Sequence, residues 1–139
     1  MTLVDDDIWQ YCGIEPCGER LLMQLREGLP YAVLLRLAQR FRVHPRQLRP
    51  LLGMSVSTLR RRRLAGIFTP RESDRLYQLV QVFEALNGLF AGDSVQMMTW
   101  MTGPLWGLGG IAPQQMLATP EGVTTLLNLI GRLEHGVFS

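Results

Sequence analysis

The side chains best suited to chemistry lie close together, between positions 55 and 63 of a 139-residue chain. Hydroxyl groups at Ser55, Ser57 and Thr58 precede a run of four arginines that includes Arg61 and Arg62. Guanidinium groups bind phosphates and guanine edges, and hydroxyls bind phosphates, so this combination predicts contact with DNA. At 100° steps on a helix, one side carries Ser57, Thr58, Arg61 and Arg62.

The opposite side of this helix is predicted to face the core. It carries the apolar residues Val56 and Leu59, with Leu64 near them. Arg60 and Arg63 fall towards the same side, where we expect them to lie along the protein surface or to pair with Glu72 or Asp74.

The charge distribution supports a binding role but leaves a plainer explanation open. Residues 20–75 hold thirteen arginines against three acidic residues, whereas residues 1–19 hold five acidic residues and no basic one. Residues 76–139 hold one arginine and four acidic residues. A basic middle third is typical of a polyanion-binding element. It is also typical of a solvated helix end, where arginines are favoured by the helix dipole.

Proline and glycine divide the rest of the chain into helices, and strand signals are nearly absent, so we predict an all-α fold. The clearest signal is Thr69-Pro70-Arg71-Glu72, which has a capping threonine, proline at the first helical position and glutamate at the third. Helices are predicted over residues 19–27, 31–41, 45–52, 55–65, 70–90, 94–101 and 121–134. Pro50 predicts that the third of these is short or distorted.

Two short helices joined by Gly53-Met54 are typical of a helix-turn-helix motif, whose second helix lies in the major groove of DNA. That second helix is the arginine-rich segment 55–65. We predict three regions: an acidic segment over residues 1–18, a helix-turn-helix domain over 19–68 and a second helical domain over 69–139.

Metal and enzymatic chemistry find little support. Cys12, Cys17, His44 and His135 are too scattered to form a zinc site, and the thiols are expected to be free. Glu134 and His135 are adjacent, so they point about 100° apart on a helix and do not form a simple dyad. We therefore predict no catalytic residues, no metal and no cofactor.

A membrane location is not expected either. The longest apolar stretches fall far short of the roughly 20 residues that a spanning helix needs. The first residues are acidic, whereas a secretory signal is basic and then apolar. The sequence predicts a cytoplasmic protein.

An ordered set of short motifs connects the two predicted domains to a known family. The chain resembles the Xre-type antitoxins of RES–Xre toxin–antitoxin modules, which carry a C-terminal MbcA/ParS-type toxin-binding domain. The similarity covers roughly residues 20–137. It rests on Leu51-Leu52-Gly53-Met54-Ser55, Thr58-Leu59, Arg61-Arg62, Gly66, Ser73-Asp74-Arg75-Leu76, Trp100-Met101, Pro104, Leu108-Gly109-Gly110, Pro113, Leu117, Thr119, Gly122 and Gly131-Arg132-Leu133-Glu134-His135-Gly136.

The resemblance implies an antitoxin with two activities. Its Xre-like helix-turn-helix would bind the operator of its own operon, and its C-terminal domain would block a RES-domain toxin that consumes NAD. It also implies an antitoxin homodimer within a toxin–antitoxin hetero-oligomer. Two alternatives stay open: a stand-alone helix-turn-helix transcriptional regulator, and an antitoxin to a ParT-like ADP-ribosylating toxin. The family usually has an apolar residue where this chain has Arg63.

The C-terminal end is the predicted toxin-binding site. The last helix is expected to end at Gly136, which leaves Val137, Phe138 and Ser139 as an apolar tail with a free carboxylate. Such a tail, together with Arg132 and His135, is suited to filling a nucleotide-binding pocket, although a frayed terminus explains it equally well. Trp106, between glycine-rich turns, is a further candidate because tryptophan is enriched at interface hot spots.

Overall fold

The computed structural model describes residues 7–104 and 109–136, which form two units that divide between Val80 and Gln81. In the described part of the chain the regular secondary structure is helical; Pro30 and Ile67 form an isolated bridge, and Ile111 is a further bridge residue. The all-α prediction is therefore confirmed. No helix in residues 7–104 or 109–136 is long and apolar enough to cross a bilayer.

Six helices begin in the first unit, and five of them closely match the predicted bounds. They are α1 (Ile8–Cys12), α2 (Glu19–Glu27), α3 (Tyr31–Arg40), α4 (Pro45–Leu52), α5 (Val56–Ala65) and α6 (Pro70–Leu89). Helix α4 contains Pro50 but still completes eight residues, about two turns. The sequence did not predict α1, which packs against α3.

The core of the first unit is aliphatic, with aromatic pairs at its edges. Trp9 of α1 lies against Tyr77, with ring centroids 5.4 Å apart, and Tyr31 stacks on Phe68 at 5.5 Å. The fully buried leucines are Leu29, Leu34, Leu37, Leu48, Leu52, Leu76 and Leu79. Burial of this apolar surface supplies the main driving force for folding.

A buried serine joins two segments that are distant in sequence. The Ser73 hydroxyl accepts a hydrogen bond from the Leu29 amide at 2.7 Å and donates one to the Thr69 carbonyl at 2.8 Å. The Phe68 amide donates to the Leu29 carbonyl at 2.9 Å. These bonds fix the start of α6 beside the α2–α3 connection, so the segment after α5 has a defined path.

The second unit contains the end of α6, then α7 (Ser94–Thr102), a 3-10 helix (Pro113–Ala118) and α8 (Pro120–Glu134). Asp93 caps α7 by accepting from the Gln96 amide at 3.2 Å, and Thr119 caps α8 by accepting from the Gly122 amide at 3.0 Å. The 3-10 helix packs against both α7 and α8. The core is apolar and comprises Val82, Phe83, Leu86, Met97, Met101, Leu117, Val123, Leu126 and Ile130.

Candidate nucleic-acid interface and C-terminal surface

The candidate DNA-binding element is α4, a tight turn and α5. His44 caps α4, because its Nδ1 accepts from the Arg46 amide at 3.1 Å and its own amide donates to Gln47 Oε1 at 2.8 Å. The helix ends at Gly53, whose φ of +68° lies in the left-handed region that favours glycine. Ser55 then caps α5 by accepting from the Thr58 amide at 3.1 Å.

Two arginines hold the turn between these helices. Arg49 Nη1 donates to the Met54 carbonyl at 2.8 Å, and Arg75 Nη1 donates to the Leu52 carbonyl at 3.1 Å. A side chain at Gly53 would displace the Arg75 guanidinium from its present position, and the positive φ independently favours glycine here. Part of the basic charge in residues 20–75 is therefore structural and fixes how α5 leaves the turn.

A third arginine joins α5 to α6. Arg62 Nε lies 2.5 Å from Glu72 Oε1, and Arg62 Nη2 lies 3.0 Å from Glu72 Oε2. Glu72 Oε1 also accepts from the Thr69 amide at 2.9 Å, and Thr69 Oγ1 accepts from the Glu72 amide at 3.2 Å. The predicted capping residues at the start of α6 thus also form the α5–α6 contact.

The ion pair between Arg62 and Glu72 changes the pKa of both residues. Burial raises the pKa of Glu72, but the hydrogen bonds from Arg62 and from Thr69 outweigh this effect and hold that pKa below its usual value. The hydrogen bond to Glu72 in turn raises the pKa of Arg62. A charged, bidentate pair of this kind restricts rotation of α5 about its axis.

The predicted rotation of α5 is wrong in part. Val56 and Leu64, expected on the core side, are 68% and 76% exposed, and only Leu59 of this helix is buried. Arg60 and Arg63 were expected to lie along the protein surface or to pair with Glu72 or Asp74; both are exposed, and Arg62 makes the Glu72 contact. The rotation of α5 was predicted from its three apolar residues, and the prediction is wrong in part because two of them, Val56 and Leu64, lie outside the core.

The outward face of α5 carries the remaining polar candidates. Ser57 and Arg61 are exposed, as are Val56 and Arg60. At the start of the helix, Ser55 Oγ lies 3.2 Å from Ser57 Oγ and donates to Thr58 Oγ1 at 2.9 Å. Arg61 Nη2 donates to Thr58 Oγ1 at 3.3 Å. The predicted hydroxyls therefore form one local network at the N-terminal end of α5, with half-buried Thr58 at its inner edge.

A groove of about 690 Å³ runs beside this face, between α3, α4 and α5. Its apolar lining includes Tyr31, Leu35, Val56 and Leu59, and its basic lining includes Arg46, Arg49, Arg60 and Arg63. Arg63 is thus an exposed groove residue. Burial raises the pKa of Tyr31, and the positive charge of Arg63 acts in the opposite direction.

The C-terminal surface contains three of the residues predicted to bind a toxin. Arg132 is exposed in the last turn of α8, and His135 follows the helix as its exposed C-cap. Gly136, with φ of +68°, then turns the backbone as expected of a helix stop. Trp106 and Val137, Phe138 and Ser139 lie outside the described residues. Within residues 7–104 and 109–136, no three histidine, cysteine or carboxylate side chains are grouped as metal ligands.

Comparison with known proteins assigns a family to each half of the chain. The family model of the antitoxin Xre-like helix-turn-helix domain matches residues 20–81. That of the antitoxin Xre/MbcA/ParS C-terminal toxin-binding domain matches residues 79–136. Antitoxin Xre of Photorhabdus laumondii is 33% identical over 134 residues, which cover 95% of this chain and 90% of that protein. The chain belongs to the Xre antitoxin family.

A second Xre antitoxin matches part of the chain more closely. Antitoxin Xre of Yersinia enterocolitica is 48% identical over 85 residues, which are 61% of this chain and 57% of that protein. This chain thus spans little more than half the length of that relative. The predicted resemblance to Xre antitoxins, with a helix-turn-helix followed by a toxin-binding domain, is confirmed.

The structure of this Xre antitoxin adds residues that the sequence did not single out. Arg49 had been counted only as positive charge and Arg75 also as part of a family motif, yet both bind backbone carbonyls of the turn. Arg49 lies within α4 and Arg75 within α6, and neither position gave a local signal of such a contact. The His44 cap did carry a signal, since His44-Pro45 is followed by glutamine at the third helical position.

Proposed function

We propose that this Xre-family protein is an antitoxin that binds and blocks an NAD-degrading RES-domain toxin and represses its own operon through DNA binding. Membership of the family supports the antitoxin role, and the toxin-binding domain matched over residues 79–136 supports the partner class. The observation that carries the DNA half is the exposed basic face of α5, held in a fixed orientation by the Arg62–Glu72 pair. The chain itself performs no catalysis in this proposal.

In the DNA complex, Ser57 and Arg61 contact the duplex from the outward face of α5. Ser55 and Thr58 support them through the hydroxyl network at the helix start and supply further phosphate contacts. Arg62 contributes from the inner edge of the helix, where its bond to Glu72 sets the angle of the reading face. An antitoxin homodimer would place two such helices on a palindromic operator.

In the toxin complex, the contact surface is the end of α8 and the residues that follow. Exposed Arg132 and His135 contact the toxin active site together with Val137, Phe138 and Ser139, which follow Gly136 in the sequence. Trp106 forms a second part of the same proposed interface. Val137 and Phe138 are apolar and chemically unlike a nucleotide, so blocking rather than substrate mimicry is proposed.

Co-expression tests the proposal directly. The adjacent gene is expressed alone, with this chain, and with this chain lacking residues 137–139, and NAD is measured in the cells. We expect depletion by the adjacent gene alone, recovery with the full chain and renewed depletion with the truncated chain. Protein ADP-ribosylation without NAD hydrolysis would instead identify a ParT-like toxin. Absence of co-purification and of any effect on NAD would contradict the antitoxin assignment.

The assembly is tested on the purified complex. Light scattering on the chain alone and with its toxin gives the two masses. We expect an even number of antitoxin chains in both, because a two-fold operator requires paired helices. A complex that contains a single antitoxin chain would contradict the homodimer.

A further inference from the structure

An aliphatic side chain lies exposed beside several arginines in the groove between α3, α4 and α5. Val56 is the first residue of α5 and is 68% exposed, and its neighbours along the groove are Arg46, Arg60 and Arg63. A single exposed valine is common on protein surfaces and requires no explanation by itself. Val56 is distinguished by its position at the N-terminal end of α5, the helix that lies in the major groove of DNA in the proposed function.

The charges around Val56 determine what can cover it. Any partner that buries this side chain must also neutralise the guanidinium groups of Arg46, Arg60 and Arg63, which are all exposed. A DNA duplex does so with its phosphates while it presents base edges between them. The other exposed aliphatic of the helix, Leu64, lies two turns further on, beyond the N-terminal residues that reach base edges in a helix-turn-helix complex.

The chemistry of the major groove then limits the contact to one group. Base edges there present hydrogen-bond donors and acceptors, and the apolar group among them is the 5-methyl group of thymine. A valine has no donor or acceptor, so it discriminates only through that methyl group. We infer that Val56 contacts the 5-methyl group of a thymine and selects thymine at that position of the operator, an inference that rests on the proposed DNA-binding function.

Arg60 lies one turn after Val56 on the same exposed face. Its guanidinium is suited to a guanine O6 and N7, so the two side chains together select a thymine and a guanine that lie within a few base pairs. The two residues contribute differently to DNA binding. Arg60 is charged and can also raise the affinity by contacting phosphates, whereas Val56 is uncharged and contributes only base selection. Val56 is therefore the cleaner residue to test.

The experiment removes the contact from either side, by taking the 5-methyl group from the thymine or the methyl groups from the Val56 side chain. Duplexes are first selected from a random library by the full-length protein, and each thymine of the selected site is then replaced by deoxyuridine, which lacks the 5-methyl group. Affinities are measured for the unmodified chain and for Val56→Ala. Val95→Ala is the matched control, because Val95 is also an exposed helical valine, 76% exposed, in α7 of the second unit.

At one thymine, we expect the unmodified chain and the control to lose about three- to fivefold in affinity on replacement, the magnitude of one buried methyl group. Val56→Ala is expected to show that loss already on the thymine duplex and none on replacement. Alanine is the better helix former, so a folding defect is not expected, and circular dichroism checks this.

The failures are distinguishable. If sites are selected but every replacement costs both chains the same factor, or if the sites contain no thymine, the assignment of Val56 is overturned while DNA binding stands. If Val56→Ala binds each duplex as the unmodified chain does, the assignment is likewise overturned. If no sequence is enriched at all, the proposed DNA-binding function fails, and the inference fails with it.

Discussion

The two units of this Xre-family protein are stabilised by different means. In the first unit, Arg49, Arg75 and Arg62 bind two carbonyls and a carboxylate, and these contacts orient the turn and α5. In the second unit, most of the described side-chain hydrogen bonds are local caps or lie within a helix, and the fold rests on apolar packing around α8. In the proposed DNA complex, α5 would have to present its face at a defined angle, and directional polar contacts such as those of Arg49, Arg62 and Arg75 are suited to this.

The same contrast holds for charge. Residues 20–75 have ten more basic than acidic residues, and residues 76–139 have three more acidic than basic ones. Binding by the first unit is therefore expected to depend strongly on salt, because each phosphate contact releases counterions. Substitutions of charge should affect mainly the first unit, whereas removal of buried volume should destabilise either unit, because both have apolar cores.

The largest effect is expected from a cavity in the second unit. Leu126→Ala removes a fully buried side chain from α8 and should lower the free energy of unfolding by about 2–5 kcal/mol, measured by urea denaturation. Leu127→Ala is the matched control on the same helix, because Leu127 is only half-buried. Equal losses for the two variants would contradict the assignment of the core to this face of α8.

An intermediate effect is expected from charge in the first unit. Arg61→Ala should reduce the slope of log affinity for DNA against log salt by about 0.9, the contribution of one phosphate contact, at unchanged thermal stability. Arg132→Ala removes the single arginine of residues 76–139 and should leave this slope unchanged. The comparison between the units would fail if both substitutions changed the slope alike.

A smaller effect is expected from pH. Because the pKa of Glu72 is lower in the folded chain than its ordinary value of 4.5, its contribution to stability is complete above that value and is lost as the pH falls through the folded pKa. The loss of stability on acidification below about pH 4.5 should therefore be shallower in Glu72→Gln than in the unmodified chain. The midpoints of urea denaturation of both proteins, measured between pH 3 and 6, test this difference in pH dependence.

The control for this prediction is the same substitution in an Arg62→Gln background. Arg62 supplies two of the interactions that lower the pKa of Glu72, so Glu72→Gln should change the pH dependence less in that background. An identical change in both backgrounds would show that the α5–α6 pair does not couple to stability.

The smallest perturbation is chemical labelling. Burial raises the pKa of the Cys12 thiol to about 11, despite the positive charges of Arg36 and Arg40, whereas Cys17 is exposed. Since the thiolate is the reactive form, iodoacetamide should modify Cys17 far faster than Cys12 at neutral pH, as read by mass spectrometry. Rapid modification of Cys12 would indicate that α1 leaves α3 readily, and that the first unit is less well held than its polar contacts suggest.

Most helix bounds were predictable because their signals are local. Thr69-Pro70-Arg71-Glu72 predicted the start of α6, and Gly53 and Gly66 predicted the ends of α4 and α5. Helix α1 was missed because its five residues carry little pattern of their own, and its stability comes from packing on α3 and from the Trp9–Tyr77 contact. Tertiary packing of this kind has no counterpart in a short sequence window.

The candidate site was predictable in its residue types but not in its geometry. The run of arginines and hydroxyls pointed to α5, and Ser57 and Arg61 lie on its exposed face as expected. The partner of Glu72 was not predictable, because α5 has a single buried apolar residue to fix its rotation and four consecutive arginines, Arg60 to Arg63, that could pair with the carboxylate. Arg75 contacts a carbonyl 23 residues away, a separation at which sequence pattern carries no information.

By itself, the sequence determined where α2 to α6 begin and end, which third of the chain is basic and which family the chain resembles. These depend on proline, glycine and capping residues acting within a few positions, on charge counts and on an ordered set of motifs. The tertiary structure alone decided the rotation of α5, and with it that Val56 lies exposed while Arg62 turns inward to Glu72. Rotation depends on contacts with α6 and the core, and α5 is too weakly amphipathic for its own residues to select it.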